Sequence, residues 1–158
     1  MLYAALKTVH LLSIIVWIGG MVFAHFFLRP ALSVLSAPDR LRLMHEVLGR
    51  FFSAVLWAST LALASGVWMV GRMARQTVQA GASFNMPPEW MVMAALGLVM
   101  WAIFGHIRFV LYKRLARAVT AQSWPEGGAA LATIRRWVTL NLSLGVVIVV
   151  VTLLGASF

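Results

Sequence analysis

Residues 6–30 read "LKTVHLLSIIVWIGGMVFAHFFLRP", an apolar run that holds two histidines and a lysine among aliphatic and aromatic side chains. About 20 apolar residues make a helix long enough to cross the roughly 30 Å hydrocarbon core of a bilayer. The run therefore predicts a membrane span over about residues 9–28. Ionisable groups inside a span are costly in lipid, so His10 and His25 are the first candidates for a functional role.

The composition of the whole chain indicates a membrane protein. Of its 158 residues, 62% are hydrophobic and 11% are charged, whereas about a quarter of the residues in a soluble domain are charged. The chain has no cysteine, which excludes disulfides and thiolate ligands or nucleophiles. A net charge of +9 would suggest nucleic acid for a soluble protein. Here the basic residues gather in two loops, so we expect lipid headgroups and no nucleic acid as their partner.

Three further apolar runs predict one transmembrane domain, residues 1–158, that crosses the membrane four times. The four predicted spans cover about residues 9–28, 51–70, 90–107 and 137–156. No regular alternation of polar and apolar residues is present, which disfavours a β-barrel. The expected fold class is therefore all-α, an integral membrane four-helix bundle.

The basic residues also predict the orientation of the bundle, because positively charged loops stay in the cytoplasm. One side of the membrane has only Lys7, Arg72 and Arg75. The loops on the other side contain the remaining ten: Arg29, Arg40, Arg42, Arg50, Arg108, Lys113, Arg114, Arg117, Arg135 and Arg136. Both termini are thus predicted to face outward from a multi-pass protein of the bacterial inner membrane.

Two of the helices are expected to extend into the cytoplasm. Ser36 is a candidate N-cap, followed by a proline in the first turn and by Asp39, for a helix that runs into the second span. The third span is expected to continue through "IRFVLYKRLARAV" at residues 107–119. The turn that ends it is predicted at "SWPEGG", residues 123–128.

Three histidines fall near the predicted cytoplasmic side. Counting back from Arg29 at about 1.5 Å per residue places His25 roughly 6 Å inside the boundary, with His106 at a similar depth. Polar residues of the fourth span at this level are Asn141 and Ser143. Two histidines on facing helices could hold a heme or a divalent metal, or could form only hydrogen bonds to polar neighbours. His45, on the amphipathic extension, is expected to face the headgroups.

His10 lies about one turn inside the outer side, roughly 22 Å along the helix axis from His25. On an ideal helix the two histidines differ by only about 60° in direction, so both can face the bundle interior. Trp17 and Met21 lie between them on nearly the same stripe. Lys7, one turn before His10, either extends to the headgroups or binds a carboxylate of a substrate or cofactor.

Methionines gather at the outer ends of the second and third spans: Met69, Met73, Met86, Met91 and Met93. Imidazole together with thioether suits Cu(I), and a heme with histidine and methionine ligands is also compatible. Methionine is equally a common apolar filler. The predicted metal ligands are His10, Met69, Met73, Met91 and Met93.

The opening run resembles the first helix of the CopD family of copper-resistance membrane proteins and that of the related HemJ-type protoporphyrinogen oxidases. The residues that carry the resemblance are Lys7, His10, Trp17, Gly20, Arg29 and Pro30. A CopD-like protein implies copper handling in the inner membrane, and a HemJ-like one implies heme b linked to His10. HemJ-type proteins also have an important lysine shortly after the tryptophan that opens their third helix. Met93 or Ala94 stands at that position here, which does not favour protoporphyrinogen oxidation.

Three functional hypotheses remain open. The first is a CopD-like protein that binds copper through His10 and the outer methionines and passes it inward past Trp17 and Met21 toward His25 and His106. The second is a heme b redox protein, either an electron carrier or a heme-dependent oxidoreductase. Its candidate cofactor-binding residues are His10, His25, His106, Lys7 and Trp17. The third is a cofactor-free membrane subunit. Expected partners are the lipid bilayer and a periplasmic copper protein, a redox partner or a second copy of the chain.

Overall fold

The computed structural model describes residues 1–155 and consists of four long helices joined by short loops. The helices are α1 (Leu2–Val34), α2 (Ala37–Gln79), α3 (Pro88–Thr120) and α4 (Trp124–Gly155). Each is long and apolar enough to cross a membrane, and the described residues contain no β-strand. The predicted all-α four-helix membrane bundle is confirmed. The predicted end of the last span at residue 156 lies outside the described residues.

The helix starts follow local capping and turn chemistry. Oγ of Ser36 accepts a hydrogen bond from the backbone N–H of Asp39 at 3.3 Å, so the predicted N-cap of α2 is confirmed. The helix then continues for 43 residues without a break. α1 begins at Leu2, ahead of the predicted start near residue 9. Polar residues are tolerated in this first stretch because the Thr8 hydroxyl donates to the carbonyl of Ala4 at 2.9 Å.

The predicted turn at residues 123–128 is wrong. The turn spans residues 121–123, with Gln122 at a positive φ of 55°, and α4 already begins at Trp124. Proline is favoured in the first turn of a helix, so Pro125 does not prevent this start. Gly127 is buried because two helices pack against it: a Cβ there would lie 3.2 Å from Cδ1 of Leu41 and 3.7 Å from Cβ of Ala118.

Two of the four helices contain π-helical turns. α1 has them at Ile15–Gly19 and Ala24–Leu28, and α3 has one at Ile107–Leu111. These wider turns change which face the following residues present and often occur at functional sites. The first π-helical turn of α1 lies between His10 and His25, and the second contains His25. An ideal-helix count therefore does not hold, and the two histidines contact different helices.

A row of aromatic rings occupies the centre of the bundle. Trp17 and Phe104 pack edge to face with their ring centroids 6.2 Å apart, and Phe104 meets Phe52 at 6.1 Å. Phe52 in turn packs against Tyr112 at 5.6 Å. Trp17, Phe104 and Phe52 of this aromatic row belong to the buried core, and the partly buried Tyr112 packs against it toward the predicted cytoplasmic side.

Candidate functional site

Two cavities open between the helices, and α1 contributes a histidine to each. The outer cavity has a volume of about 430 Å³, is walled by all four helices and contains His10. The inner cavity lies toward the predicted cytoplasmic side, has a volume of about 570 Å³ and contains His25. Its walls come from α1, α2 and α4. Among the described residues, the two cavities share no lining residue.

The imidazole of His10 is hydrogen-bonded to α2. Its Nδ1 lies 2.8 Å from the carbonyl oxygen of Ala62 and 3.1 Å from Oγ of Ser65. Because a carbonyl oxygen only accepts hydrogen bonds, Nδ1 carries the proton of the neutral ring. The lone pair of Nε2 is then free to bind a metal. Proteins commonly orient metal-binding histidines by such a bond from the other ring nitrogen.

A glycine allows the His10 ring to approach α2 this closely. A Cβ at Gly66 would lie 3.3 Å from Cε1 of His10, so any side chain there would press on the imidazole ring. Ala62, Ser65 and Gly66 share one face of α2, since residues three and four apart are neighbours on a helix. Small residues on such a face let membrane helices pack closely.

Three methionines line the outer cavity together with His10, namely Met86, Met93 and Met100. Only Met93 belongs to the predicted ligand set. The other predicted ligands, Met69, Met73 and Met91, do not line this cavity. Met91 is 57% exposed, because a residue two positions from Met93 points to a different face of the helix. The cavity that contains His10 is therefore lined by a different set of methionines than the sequence suggested.

The sequence spacing also indicates Met100 as a cavity residue, although Met100 was not among the predicted ligands. Met93, Gly97 and Met100 follow the four- and seven-residue spacing of one helix face, and all three line the outer cavity. Ser65 and Gly66 were also missed. Their roles depend on the packing of α2 against α1, which no local pattern reveals.

Trp17 lines the outer cavity, whereas Lys7 does not. The indole Nε1 of Trp17 is buried without a hydrogen-bond partner in the described part of the chain, so this wall holds an unused donor. Lys7 is exposed, in keeping with a side chain that extends to the headgroups.

Met21 and Asn141 form a buried pair away from both cavities. Nδ2 of Asn141 lies 3.9 Å from Sδ of Met21, and both residues are buried. The amide oxygen of Asn141 has no hydrogen-bond partner among residues 1–155. Neither residue lines the outer or the inner cavity.

The structure gives His25 and His106 different neighbours on α4, and their pairing stays a prediction. Nδ1 of His25 lies 3.5 Å from Oγ1 of Thr139, while the His106 ring lies 5.2 Å from that of Trp137. Residues 137 and 139 are about 200° apart around a helix, so the two histidines meet different faces of α4. His106 is exposed and His25 is half-buried. Ser143 is also exposed, and its hydroxyl donates to the carbonyl of Thr139 at 3.0 Å.

His45 links two helices and does not simply face the headgroups. Its ring stacks on Tyr112 with the centroids 5.3 Å apart. The Tyr112 hydroxyl donates to the carbonyl oxygen of His45 at 3.1 Å. Gly49 lies directly beneath this hydroxyl, where a Cβ would collide with it. The contact joins α2 to the cytoplasmic extension of α3.

The ligand chemistry of the outer cavity is soft. Within residues 1–155, no group of three or more histidine, cysteine, aspartate or glutamate side chains could hold a metal ion. The described lining of the outer cavity includes no aspartate, glutamate, lysine or arginine. Its metal-binding atoms are an imidazole nitrogen and thioether sulfurs, which suit Cu(I) better than hard, oxygen-seeking ions.

The fold and these cavities define a multi-pass inner-membrane protein of the four-helix type. A family model described as CopD, copper resistance protein D, matches residues 45–154. The chain belongs to the CopD family. The match begins after α1, so it does not include His10 or the first-helix motif. No curated protein and no solved structure matches the chain.

Proposed function

We propose that this copper-resistance-family membrane protein binds Cu(I) in its outer cavity. Nε2 of His10 is the nitrogen ligand, and the sulfur ligands come from Met86, Met93 and Met100. One observation supports the proposal above all. The hydrogen bond from Nδ1 to Ala62 leaves Nε2 unprotonated in a cavity whose other metal-binding atoms are thioethers.

The surroundings of His10 suit a soft, singly charged ion. Thioether and neutral imidazole ligands favour Cu(I) without requiring a thiolate, which would be oxidised outside the cytoplasm. No carboxylate lines the described cavity, so divalent cations that prefer oxygen ligands lack a partner there. The site is therefore selective through ligand softness, and not through charge.

Inward passage of copper toward His25 is opposed by charge. The inner cavity is lined by Arg29, Arg40 and Arg135, and their positive field repels a cation. The aromatic row and the buried Met21–Asn141 pair also fill the interior of the bundle. We therefore propose that the protein binds Cu(I) at the outer side and exchanges it with a periplasmic copper protein. Translocation of copper along α1 is not part of this proposal.

The test is an anaerobic Cu(I) titration of the purified protein in mild detergent against a coloured Cu(I) chelator. We expect His10→Ala to weaken binding by more than the roughly 10–100-fold loss that follows removal of a hydrogen-bond partner from a metal ligand. His25→Ala is the matched control, because it removes a histidine of the same helix from the other cavity. Equal loss in both variants would reject the site.

The sulfur ligands are tested by a second matched pair. Met93→Leu removes a thioether that lines the cavity, while Met91→Leu removes one that is 57% exposed. We expect weaker Cu(I) binding only for Met93→Leu. X-ray absorption at the copper edge should show both sulfur and nitrogen ligands, with the nitrogen contribution lost in His10→Ala.

A second candidate function is heme b binding in the same cavity. The observation that favours it is size, because about 430 Å³ falls within the roughly 300–1,000 Å³ of small-molecule pockets. Gly71 and Gly97 leave open space in its wall, and His10 would be an axial ligand. A bound heme would supply one-electron transfer. A Soret band that is present in the purified protein and absent in His10→Ala would favour heme over copper.

A further inference from the structure

We propose that the inner cavity binds the anionic headgroup of a membrane phospholipid. The cavity combines three arginines and a histidine with an extensive apolar wall. A phosphodiester with acyl chains matches both features, since its charge meets the arginines and its chains meet the wall. This proposal does not rest on copper binding and concerns a different set of residues.

The positive charge of the inner cavity is not neutralised by the protein. Among the described residues, Arg29, Arg40 and Arg135 form no ion pair. The salt bridges present join Arg42 to Asp39 at 3.4 Å and His45 to Glu46 at 3.9 Å. None of the four carboxylate side chains of the sequence lines the cavity. Arginine is the side chain best shaped for two-point hydrogen bonding to a phosphate.

Two helix N-termini add to this field. Ala37, the first residue of α2, and Trp124 and Pro125, at the start of α4, all line the inner cavity. The N-terminal end of a helix carries a partial positive charge. Backbone N–H groups of these first turns, such as those of Asp39 and Gly127, already have hydrogen-bond partners. The donors for an anion are therefore the arginine side chains and the hydroxyl of Ser33 in the same wall.

The apolar wall distinguishes a lipid from a free anion. It includes Leu41, Met44, Leu48, Leu131, Ile134 and Val138. Inorganic phosphate would gain nothing from these side chains, whereas the glycerol and upper acyl segments of a lipid would pack against them. The arginines also lie at the predicted cytoplasmic membrane surface, where anionic lipids bind basic pockets between helices.

The main alternative is that these arginines only hold the loops in the cytoplasm. In that case any basic residue at the same surface would be equivalent. Arg114 in α3 and Arg136 in α4 provide the comparison, because both lie on the predicted cytoplasmic side and neither lines the inner cavity. If the headgroup site is specific, removing two arginines from the cavity should weaken lipid binding more than removing two arginines elsewhere, although the net charge changes equally.

The experiment is native mass spectrometry of the detergent-purified protein with added phosphatidylglycerol or phosphatidylcholine. We expect phosphatidylglycerol adducts on the wild type and at least about a tenfold loss, or 1.4 kcal/mol, in Arg40→Gln/Arg135→Gln. The control Arg114→Gln/Arg136→Gln has the same net charge and should retain the adducts. Phosphatidylcholine should bind weakly to all three proteins.

Equal loss of phosphatidylglycerol in both double variants would overturn the proposal, as would equal binding of the two lipids to the wild type. Displacement of the lipid by millimolar inorganic phosphate would also overturn it, in favour of a soluble anion. The charge-retaining variant Arg40→Lys/Arg135→Lys is the control for loss of binding through misfolding. It should bind more phosphatidylglycerol than the glutamine variant, and its failure to do so would count against the site.

Discussion

The two cavities share the first helix, yet their surroundings differ in charge and in ligand chemistry. In the outer cavity, His10 lies against a carbonyl oxygen and among thioethers, and no charged side chain lines the described wall. In the inner cavity, His25 lies beside Thr139 and among three arginines. A histidine within a span therefore does not define its ligand. The side chains that the neighbouring helices contribute set the chemistry around it.

The largest expected effect concerns the aromatic row in the bundle centre. Phe52 is 1% exposed and contacts the rings of Phe104 and Tyr112. Phe52→Ala should lower the free energy of unfolding by about 3 kcal/mol, which is toward the low end for buried aromatic residues. The loss is at the low end because lipid solvates apolar groups as well as the protein interior does. Reversible unfolding in mixed detergent micelles measures the change.

Phe23→Ala is the control for this prediction. Phe23 is 56% exposed and faces lipid, so its loss should cost much less. Similar destabilisation by both substitutions would show that a ring of the aromatic row contributes no more to stability than a lipid-facing ring.

The next effect tests whether the position of the His10 ring defines the outer cavity. Gly66→Val would place side-chain atoms against Cε1 of His10, where even a Cβ would lie at 3.3 Å. We expect about a tenfold loss of Cu(I) affinity, comparable to disturbing the orientation of a metal ligand. Lipid binding at the inner cavity should not change, and both are measured by the titration and mass spectrometry described above.

Gly71→Val is the matched control in the same wall, because a Cβ at Gly71 meets nothing within 4 Å. It fills part of the cavity without displacing His10, so Cu(I) affinity should persist. A heme that occupies the whole cavity would be lost from both valine variants, which makes this pair a direct comparison of the two proposed ligands.

A smaller effect is expected from the second hydrogen-bond partner of His10. Ser65→Ala removes the 3.1 Å contact to Nδ1 but leaves the 2.8 Å contact to the carbonyl of Ala62. A single hydrogen bond contributes about 0.5–1.5 kcal/mol, so we expect roughly a two- to tenfold loss of Cu(I) affinity. Ser59→Ala, which removes a buried hydroxyl bonded only to Leu56, should leave the affinity unchanged.

The fold could be predicted from the sequence because lipid imposes few solutions. Apolar runs of sufficient length can only be helices or barrels, and the runs here do not alternate. Ser36 also specified the start of α2 through local hydrogen bonding. The turn after α3 was placed wrongly because Gly127 serves helix packing and not a turn. The sequence alone does not distinguish a glycine needed for packing from a glycine needed for a turn.

The candidate sites could be predicted only in part. His10 and Met93 were identified by residue type and depth, and both line the outer cavity. Sequence spacing did not reveal that His25 contacts Thr139 while His106 lies against Trp137, because these contacts depend on how α4 packs against α1 and α3. The arginines of the inner cavity were counted as a topology signal, and only the packing of α1, α2 and α4 shows that three of them converge.

The smallest expected effect tests whether the two cavities communicate. Asn141 is 1% exposed, and its amide oxygen lacks a partner in the described residues. Asn141→Leu removes this unsatisfied group, so the free energy of unfolding should rise by no more than about 1 kcal/mol. Cu(I) and lipid binding should both be unchanged. A clear loss of Cu(I) affinity would instead make the Met21–Asn141 pair part of an ion path, and the two cavities would then be the ends of one route and not separate sites.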